Sequence, residues 1–278
     1  MTVEDLLEGA TAVLEQEKIP SARLTAEVLL AHSLERDRSF LYAHPEHRVP
    51  TETRSTFISM VERRSLREPL QYITGQQEFY GRTFSVNPTV LIPRPETELI
   101  VDAVLELNRW PAPRILDVGT GSGCIATTLA LELDRSTVYA SDISHEAVQT
   151  ARTNAAANVA RVHLATADLL AGWTGSFEFV VSNPPYISTR EREGLQAEVR
   201  QHEPAVALFG NLDPIAMYGR LLAEAQKLLS PGGFLILEMG YSMEETVRGL
   251  FDSIWTDLTT RSDLQGFPRV VTARKADG

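Results

Sequence analysis

From residue 114 onward the chain repeats one pattern: a short, almost wholly apolar run, then a longer stretch with apolar residues every three or four positions. The runs at 114–118, 137–142, 162–165, 177–182 and 233–238 read as strands, and the stretches at 124–133, 145–158 and 214–229 as helices between them. Strands without polar alternation are buried on both faces, and strands joined through helices run parallel. Two more strands, near 256–261 and 269–273, flank Gly266-Phe267-Pro268 and predict a terminal hairpin at one sheet edge. The fold class is therefore α/β: a mostly parallel sheet with helices on both faces. Such sheets bind ligands beyond the carboxyl ends of their strands.

The chain before this repeat reads differently. Thr2 can cap a helix with Leu6, Leu7, Ala10, Val13 and Leu14 on one face. Pro20 ends it, and Ser21 can cap a second helix with Leu24, Val28, Leu29 and Ala31 inward. Thr51 can cap another, carrying Phe57, Ile58 and Val61. Alternation from Gln77 to Val86 around Tyr80-Gly81-Arg82 predicts a hairpin. Pro93-Arg94-Pro95-Glu96 opens a helix with Leu99, Ile100, Ala103, Val104 and Leu107 on its apolar side. The expected organisation is a small helical domain over 1–75, a β-hairpin linker over 76–93 and a ligand-binding domain over 94–278. The helical part contains no catalytic constellation and reads as a recognition domain.

Charge narrows the partners. The 278 residues include 26 Lys+Arg and 37 Asp+Glu, a net charge of -11. Broad electrostatic coating of nucleic acid needs a basic face, so no direct nucleic-acid binding is expected. The single cysteine, Cys124, cannot form an internal disulfide and fits a reducing compartment. Three acids in the first eight residues argue against a secretory signal, and no apolar run is long enough to span a bilayer. The expectation is a soluble, cytoplasmic protein. The six histidines form no metal-ligand spacing, so no metal is expected. Cys124 reads as a small buried helix residue, not a nucleophile.

Four features fall at strand ends. Ile115-Leu116-Asp117-Val118-Gly119-Thr120-Gly121-Ser122-Gly123 runs from a buried strand into a glycine turn and then a helix. Such a turn lets the backbone approach a ligand, although the spacing departs from the dinucleotide fingerprint. Asp142 ends the next strand, where an acid can accept ribose hydroxyls; it can also cap the following helix. Asp168 ends the strand after that, where an adenine edge would fall, with Leu169 placed to cover the ring. Asn183-Pro184-Pro185-Tyr186 follows the fourth strand. The prolines have no N–H, so this loop offers acceptors: backbone carbonyls and the Asn183 side chain. Such a loop suits a planar –NH2 group, and Tyr186 supplies an aromatic wall.

These motifs, together with 68–75, 78–81, 90–98, Glu203-Pro204, Ala207-Leu208 and Pro231-Gly232-Gly233, make the chain similar to the release factor glutamine methyltransferases, the HemK/PrmC family. The resemblance covers most of the chain. It implies a class I methyltransferase fold, Rossmann-like with a seven-stranded, mostly parallel sheet, and a small N-terminal helical domain. It implies S-adenosyl-L-methionine as cofactor, held by Gly119, Thr120, Gly121, Ser122, Gly123, Asp142, Asp168, Leu169 and Asn183. Asn183, Pro184, Pro185 and Tyr186 would bind the substrate, with Asn183, Pro184 and Tyr186 catalytic. The implied substrate is the glutamine amide in the Gly-Gly-Gln loop of peptide chain release factors, which act in translation termination. An amino-methyltransferase of adenine or guanine in nucleic acid shares the acceptor loop, and a non-catalytic nucleoside-binding regulator shares the glycine turn. Asn211-Leu212 after Gly210 departs from the Asp-Gly found in many relatives. The role of Arg94 stays open between neutralising a carboxylate and solvated capping.

Overall fold

The computed structural model describes residues 1–210 and 213–277, so Asn211-Leu212 lies outside the described residues. Two compact units result. One comprises Met1–Gln76 with Gln196–His202, the other Gln77–Leu195 with Glu203–Gly278.

The first unit is helical: Val3–Gln16, Ala22–Leu34, Arg38–Ala43, Thr51–Ser65 and Leu70–Thr74, joined by the later helix Ala197–His202. Thr2 caps the first helix in a reciprocal box with Asp5, each side chain accepting from the other's backbone N–H at 3.2 and 2.8 Å. Val3, Leu7, Leu14, Leu29, Leu30 and Phe57 form the centre of the core. Three residues expected inside, Val13, Leu24 and Ile58, are exposed. In Ala22–Leu34 the buried set is Ala22, Thr25, Ala26, Leu29 and Leu30 with Glu27 and Ala31, a stripe that leaves Leu24 on the far side. Two expected caps also differ. Ser21 takes a left-handed backbone (φ 51°) and makes no side-chain cap bond. Pro50 occupies the cap position of the fourth helix, so Thr51 is already its first helical residue.

The second unit opens within β1 (Gln76–Phe79), at Gln77, and continues into β2 (Arg82–Ser85) through Tyr80 and Gly81, both at positive φ. That two-residue turn matches the twist of paired strands. Its sheet contains β3 (Arg114–Val118), β4 (Thr137–Asp142), β5 (Val162–Thr166), β6 (Phe177–Ser182), β7 (Leu229–Glu238), β8 (Trp255–Ser262) and β9 (Pro268–Lys275). The order is β5-β4-β3-β6-β7-β9-β8, parallel from β5 to β7 and antiparallel through the terminal hairpin. β7 starts four residues before the expected position. Pro231 and Gly232, outside the expected strand, lie inside it, where the register with β6 shifts between Phe177 and Phe179. The helix expected to open at Pro93 instead begins as a tight 3₁₀ turn, Pro95–Thr97, before Glu98–Leu107.

Neighbouring strand residues divide between two cores. Leu116, Val180, Leu235 and Val271 pack with Tyr218 and Leu221 of helix Pro214–Leu228 on one face. Ile115, Phe179, Ile236 and Val270 pack with Ile100, Val104, Ile125 and Leu129 on the other. With strands buried on both sides, polar residues are pushed to the strand ends, which is where the motifs lie.

Candidate active site

Sheet order reverses beside β3: the chain moves outward to β4 and β5, then returns to β6 on the other side. The crevice at this switch is the ligand site of open α/β sheets. In register, Val118 lies between Ser141 and Ser182, so the glycine turn, Asp142 and Asn183 leave the same edge. Ser182 Oγ donates to Val118 O at 2.7 Å and ties two of these exits together.

The glycine turn is braced by β4. Gly119 N and Thr120 N donate to Ser141 O at 2.8 and 2.9 Å, and Gly121 N donates to Asp142 Oδ2 at 2.9 Å. Gly123 has a different task. A β-carbon there would lie 2.8 Å from Ala151 Cβ, so this glycine lets helix Cys124–Glu132 approach helix His145–Ala157. Asp117 sits beneath the turn, fully buried, accepting from Thr120 Oγ1 at 2.6 Å and Ala126 N at 3.2 Å through Oδ2, while its Oδ1 has no partner. Burial pushes its carboxyl up to about 7, against the pull of those two donors.

Each oxygen of Asp142 accepts a backbone N–H at 2.9 Å, from Gly121 and from Ser144. Burial raises its pKa and the backbone donors oppose that. Helix His145–Ala157 is capped by the Ser144 hydroxyl, which accepts from Ala147 N, so Asp142 is not its side-chain cap. Asp168 lies just past β5, its two oxygens each 2.9 Å from Arg220 Nη1. Leu169, at φ 50°, accepts from Ser141 Oγ through its carbonyl at 3.3 Å.

Asn183 is held by an arrangement not visible in the sequence. Its Nδ2 donates to Thr97 Oγ1 at 3.1 Å, and Thr97 donates to Glu238 Oε2 at 2.7 Å. Thr97 and Glu238 are both buried, and burial pushes the Glu238 carboxyl up to about 7. Arg94 pairs with Glu203 at 2.5 Å, whose other oxygen accepts from Ile92 N at 3.4 Å. Behind the acceptor loop, Ile187 N donates to Leu208 O at 3.3 Å. Burial, and next the charge of Glu238, raise the Tyr186 phenol well above its ordinary pKa, so it stays neutral. Cys124 is likewise driven to about 12 by burial, which leaves no thiolate for nucleophilic chemistry.

One cavity brings together Gly119, Thr120, Gly121, Ser122, Asp142, Asp168, Leu169, Asn183 and Pro185. Gly123, Pro184 and Tyr186 are not among its lining side chains: Gly123 packs against Ala151, Pro184 is buried, and Tyr186 packs against the core beneath. Thr97, Arg94 and Arg220 also line it. Sequence reasoning gave no role to Thr97 or Arg220, since each belongs to an element whose other residues read as cap or helix surface. Among the described residues no group of three or more His, Cys, Asp or Glu could hold a metal ion, and no helix is long and apolar enough to cross a membrane.

Residues 5–75 match the PrmC N-terminal domain model, and residues 96–202 match the methyltransferase small domain model. A release factor glutamine methyltransferase of Koribacter versatilis is 44% identical over 99% of this chain and 99% of its own length. The chain belongs to the release factor glutamine methyltransferase family. A family member from Geobacter sulfurreducens is 41% identical over 98% of this chain and 96% of its own. A methyltransferase of Pyrococcus furiosus, 18% identical, superimposes with a TM-score of 0.54 over 71% of this chain and 91% of its own, so the two share a fold. The class I methyltransferase fold implied by the resemblance is the fold observed, and the chain is a methyltransferase.

Proposed function

We propose that this protein transfers a methyl group from S-adenosylmethionine to the side-chain amide nitrogen of the glutamine in the Gly-Gly-Gln loop of peptide chain release factors. The observation that carries the reading is the meeting, in one cavity, of a glycine turn, the half-buried Asp142 and an acceptor loop. The residues fit the cofactor. The two Asp142 oxygens accept backbone N–H groups at 2.9 Å from Gly121 and Ser144, and a carboxylate has about four acceptor sites, so a ribose diol suits it. At Gly121 nothing lies within 4 Å of where a β-carbon would stand, so the turn leaves room for a ligand against its backbone. Asp168 and Leu169 would border the base. When bound, the cofactor supplies a methyl carbon already activated by a sulfonium.

What remains for the protein is to place the nucleophile. Orientation of this kind contributes about 7–11 kcal/mol in favourable cases. An amide nitrogen is a poor nucleophile because its lone pair is delocalised into the carbonyl. Asn183 Oδ1 and the Pro184 carbonyl would accept its two N–H bonds and aim the lone pair out of the amide plane. Positive charge then develops on nitrogen beside two fixed acceptors, which is electrostatic preorganisation. The methylated amide cation is a strong acid and releases its proton to water, so the site needs no dedicated base. Pro185 stiffens this loop and lines the cavity, and Tyr186 supports it from the core beneath. The helical unit, Met1–Gln76 with Gln196–His202, carries none of these groups and serves to recognise the protein substrate.

The test is tritiated methyl transfer from the cofactor to purified release factor, with tRNA and duplex DNA as parallel acceptors. Label is expected in the release factor alone. Label in either nucleic acid, with none in the protein, overturns the reading.

A further inference from the structure

We propose that Thr97, anchored by Glu238, fixes which end of the Asn183 amide is left to accept, and is thereby a positioning residue for methyl transfer. The proposal rests on the acceptor role given to Asn183 above. The argument is one of proton counting. A threonine hydroxyl has one proton and two acceptor lone pairs, whereas an ionised carboxylate can only accept. Thr97 Oγ1 lies 2.7 Å from Glu238 Oε2, so its single proton is committed there. Its oxygen can then only accept from Asn183, 3.1 Å away, and the amide atom facing it must be the –NH2 nitrogen. Oδ1 is the end that remains, on a residue lining the cavity.

Without that constraint an asparagine amide is nearly symmetric in shape and can turn over. Reversed, Asn183 would present donors to a substrate –NH2 that also donates, and the pair would repel. The anchor is well made for its purpose. Thr97 is 3% exposed and Glu238 2%, Thr97 N donates to Arg94 O at 3.1 Å, and Tyr218 Oη donates to Glu238 O at 2.8 Å. Burying a carboxyl at the end of β7 is costly. A neutral residue would pack there more cheaply but would leave the Thr97 proton free to turn toward Asn183.

Thr97→Val keeps the shape and removes the hydroxyl. At about pH 8, above the pKa of Glu238, single-turnover transfer at saturating cofactor and release factor should slow by about 10- to 100-fold, the usual effect of losing a group that orients a reacting one. The KM for release factor and the Kd for cofactor should stay within about twofold, because only the saturated rate depends on amide orientation. Thr97→Ser should restore most of the rate. In an Asn183→Ala background, Thr97→Val should cost nothing further, since Thr97 acts only through Asn183. Thr97→Ala, which only removes atoms, gives the same comparison if the valine variant does not fold. A normal saturated rate in either variant, a serine variant as slow as valine, or effects that multiply with Asn183→Ala would each overturn the proposal while leaving the methyltransferase reading intact. Failure of that reading shows earlier, as wild-type protein that labels no release factor or an Asn183→Ala variant of normal rate.

Discussion

Asp142 Oδ2 accepts the backbone N–H of Gly121 at 2.9 Å, so the acid assigned to the ribose also holds the glycine turn in shape. The two halves of the proposed cofactor site are thus one hydrogen-bonded object. Asp142→Ala removes both a ligand contact and a brace. Affinity for S-adenosylmethionine should fall about tenfold or more, the equivalent of losing a charge-assisted pair of bonds. Calorimetric titration of the folded variant checks this, and an unchanged Kd removes Asp142 from the site.

Two glycines of the same turn should respond differently to alanine. Gly123 is at φ 79° and a β-carbon would strike Ala151 at 2.8 Å, so Gly123→Ala should lower unfolding free energy by about 1–3 kcal/mol. Gly121, at φ 54°, meets no protein atom within 4 Å. Gly121→Ala should cost stability by only about 1–2 kcal/mol of backbone strain, yet impair cofactor binding because the methyl enters the cavity. Denaturant unfolding paired with cofactor titration separates the two, and equal loss of binding per unit of lost stability contradicts the distinction.

Asp117 sets a pH dependence. Its folded pKa of about 7 lies above the ordinary carboxylate value of 3.8, so the folded state holds this proton more tightly than the unfolded chain. Between those values folding takes up a proton, and the stability that Asp117 contributes is lost as pH rises from about 4 to about 7. Asp117→Asn has no proton to take up. Its stability relative to wild type should therefore increase across that window and level off above it. Glu238, also near 7, and carboxylates held low on the surface, such as Asp263 beside Arg269, are common to both proteins and cancel in the difference. Urea unfolding of both proteins at several pH values gives the slope, and a flat difference shows that Asp117 is not raised.

Arg64 should anchor helix Ala197–His202 within the helical unit. Its Nη1 donates to Glu68 O at 3.0 Å and its Nη2 to Glu198 Oε1 at 3.1 Å. Among the described residues, Arg64→Leu leaves Glu198 with Arg67 as its ion-pair partner, 3.5 Å away in the same unit. Bonds to charged groups contribute about 1.5–3 kcal/mol each. Amides of 197–202 should exchange markedly faster, while those of β3 and β4 keep their protection. Unaltered exchange in 197–202 shows that other contacts hold the helix.

The sheet was legible because its strands are buried on both faces and punctuated by glycine, proline and charge. β3, β4 and β6 lie at the residues their apolar runs mark. The motif residues Gly119, Asp142 and Asn183 were legible for the same reason, since polar groups at the ends of apolar strands stand out. Pro231 and Gly232 fell outside the expected strand because proline and glycine usually punctuate strands, and only the register with β6 shows the irregularity that admits them. Leu24 and Val13 misled because a leucine or valine one position off the stripe looks no different in sequence. Thr97 and Glu238 stand 141 residues apart, and no local pattern links a 3₁₀ turn to the end of β7. The return of Gln196–His202 to the helical unit is equally non-local.

Asn183 carries the central claim, that this site holds a glutamine amide so that its nitrogen meets the methyl group. Charge appears on that nitrogen only as the methyl moves, so Asn183 should matter to the transition state more than to binding. The direct measurement is single-turnover methyl transfer by Asn183→Ala at saturating cofactor and release factor, beside a cofactor titration of the same protein. The account predicts a saturated rate lower by about 10²–10³-fold, as for loss of one preorganised hydrogen-bonding group, with a much smaller change in cofactor Kd. A normal saturated rate, with the whole loss in cofactor affinity, would contradict it and make Asn183 a cofactor residue.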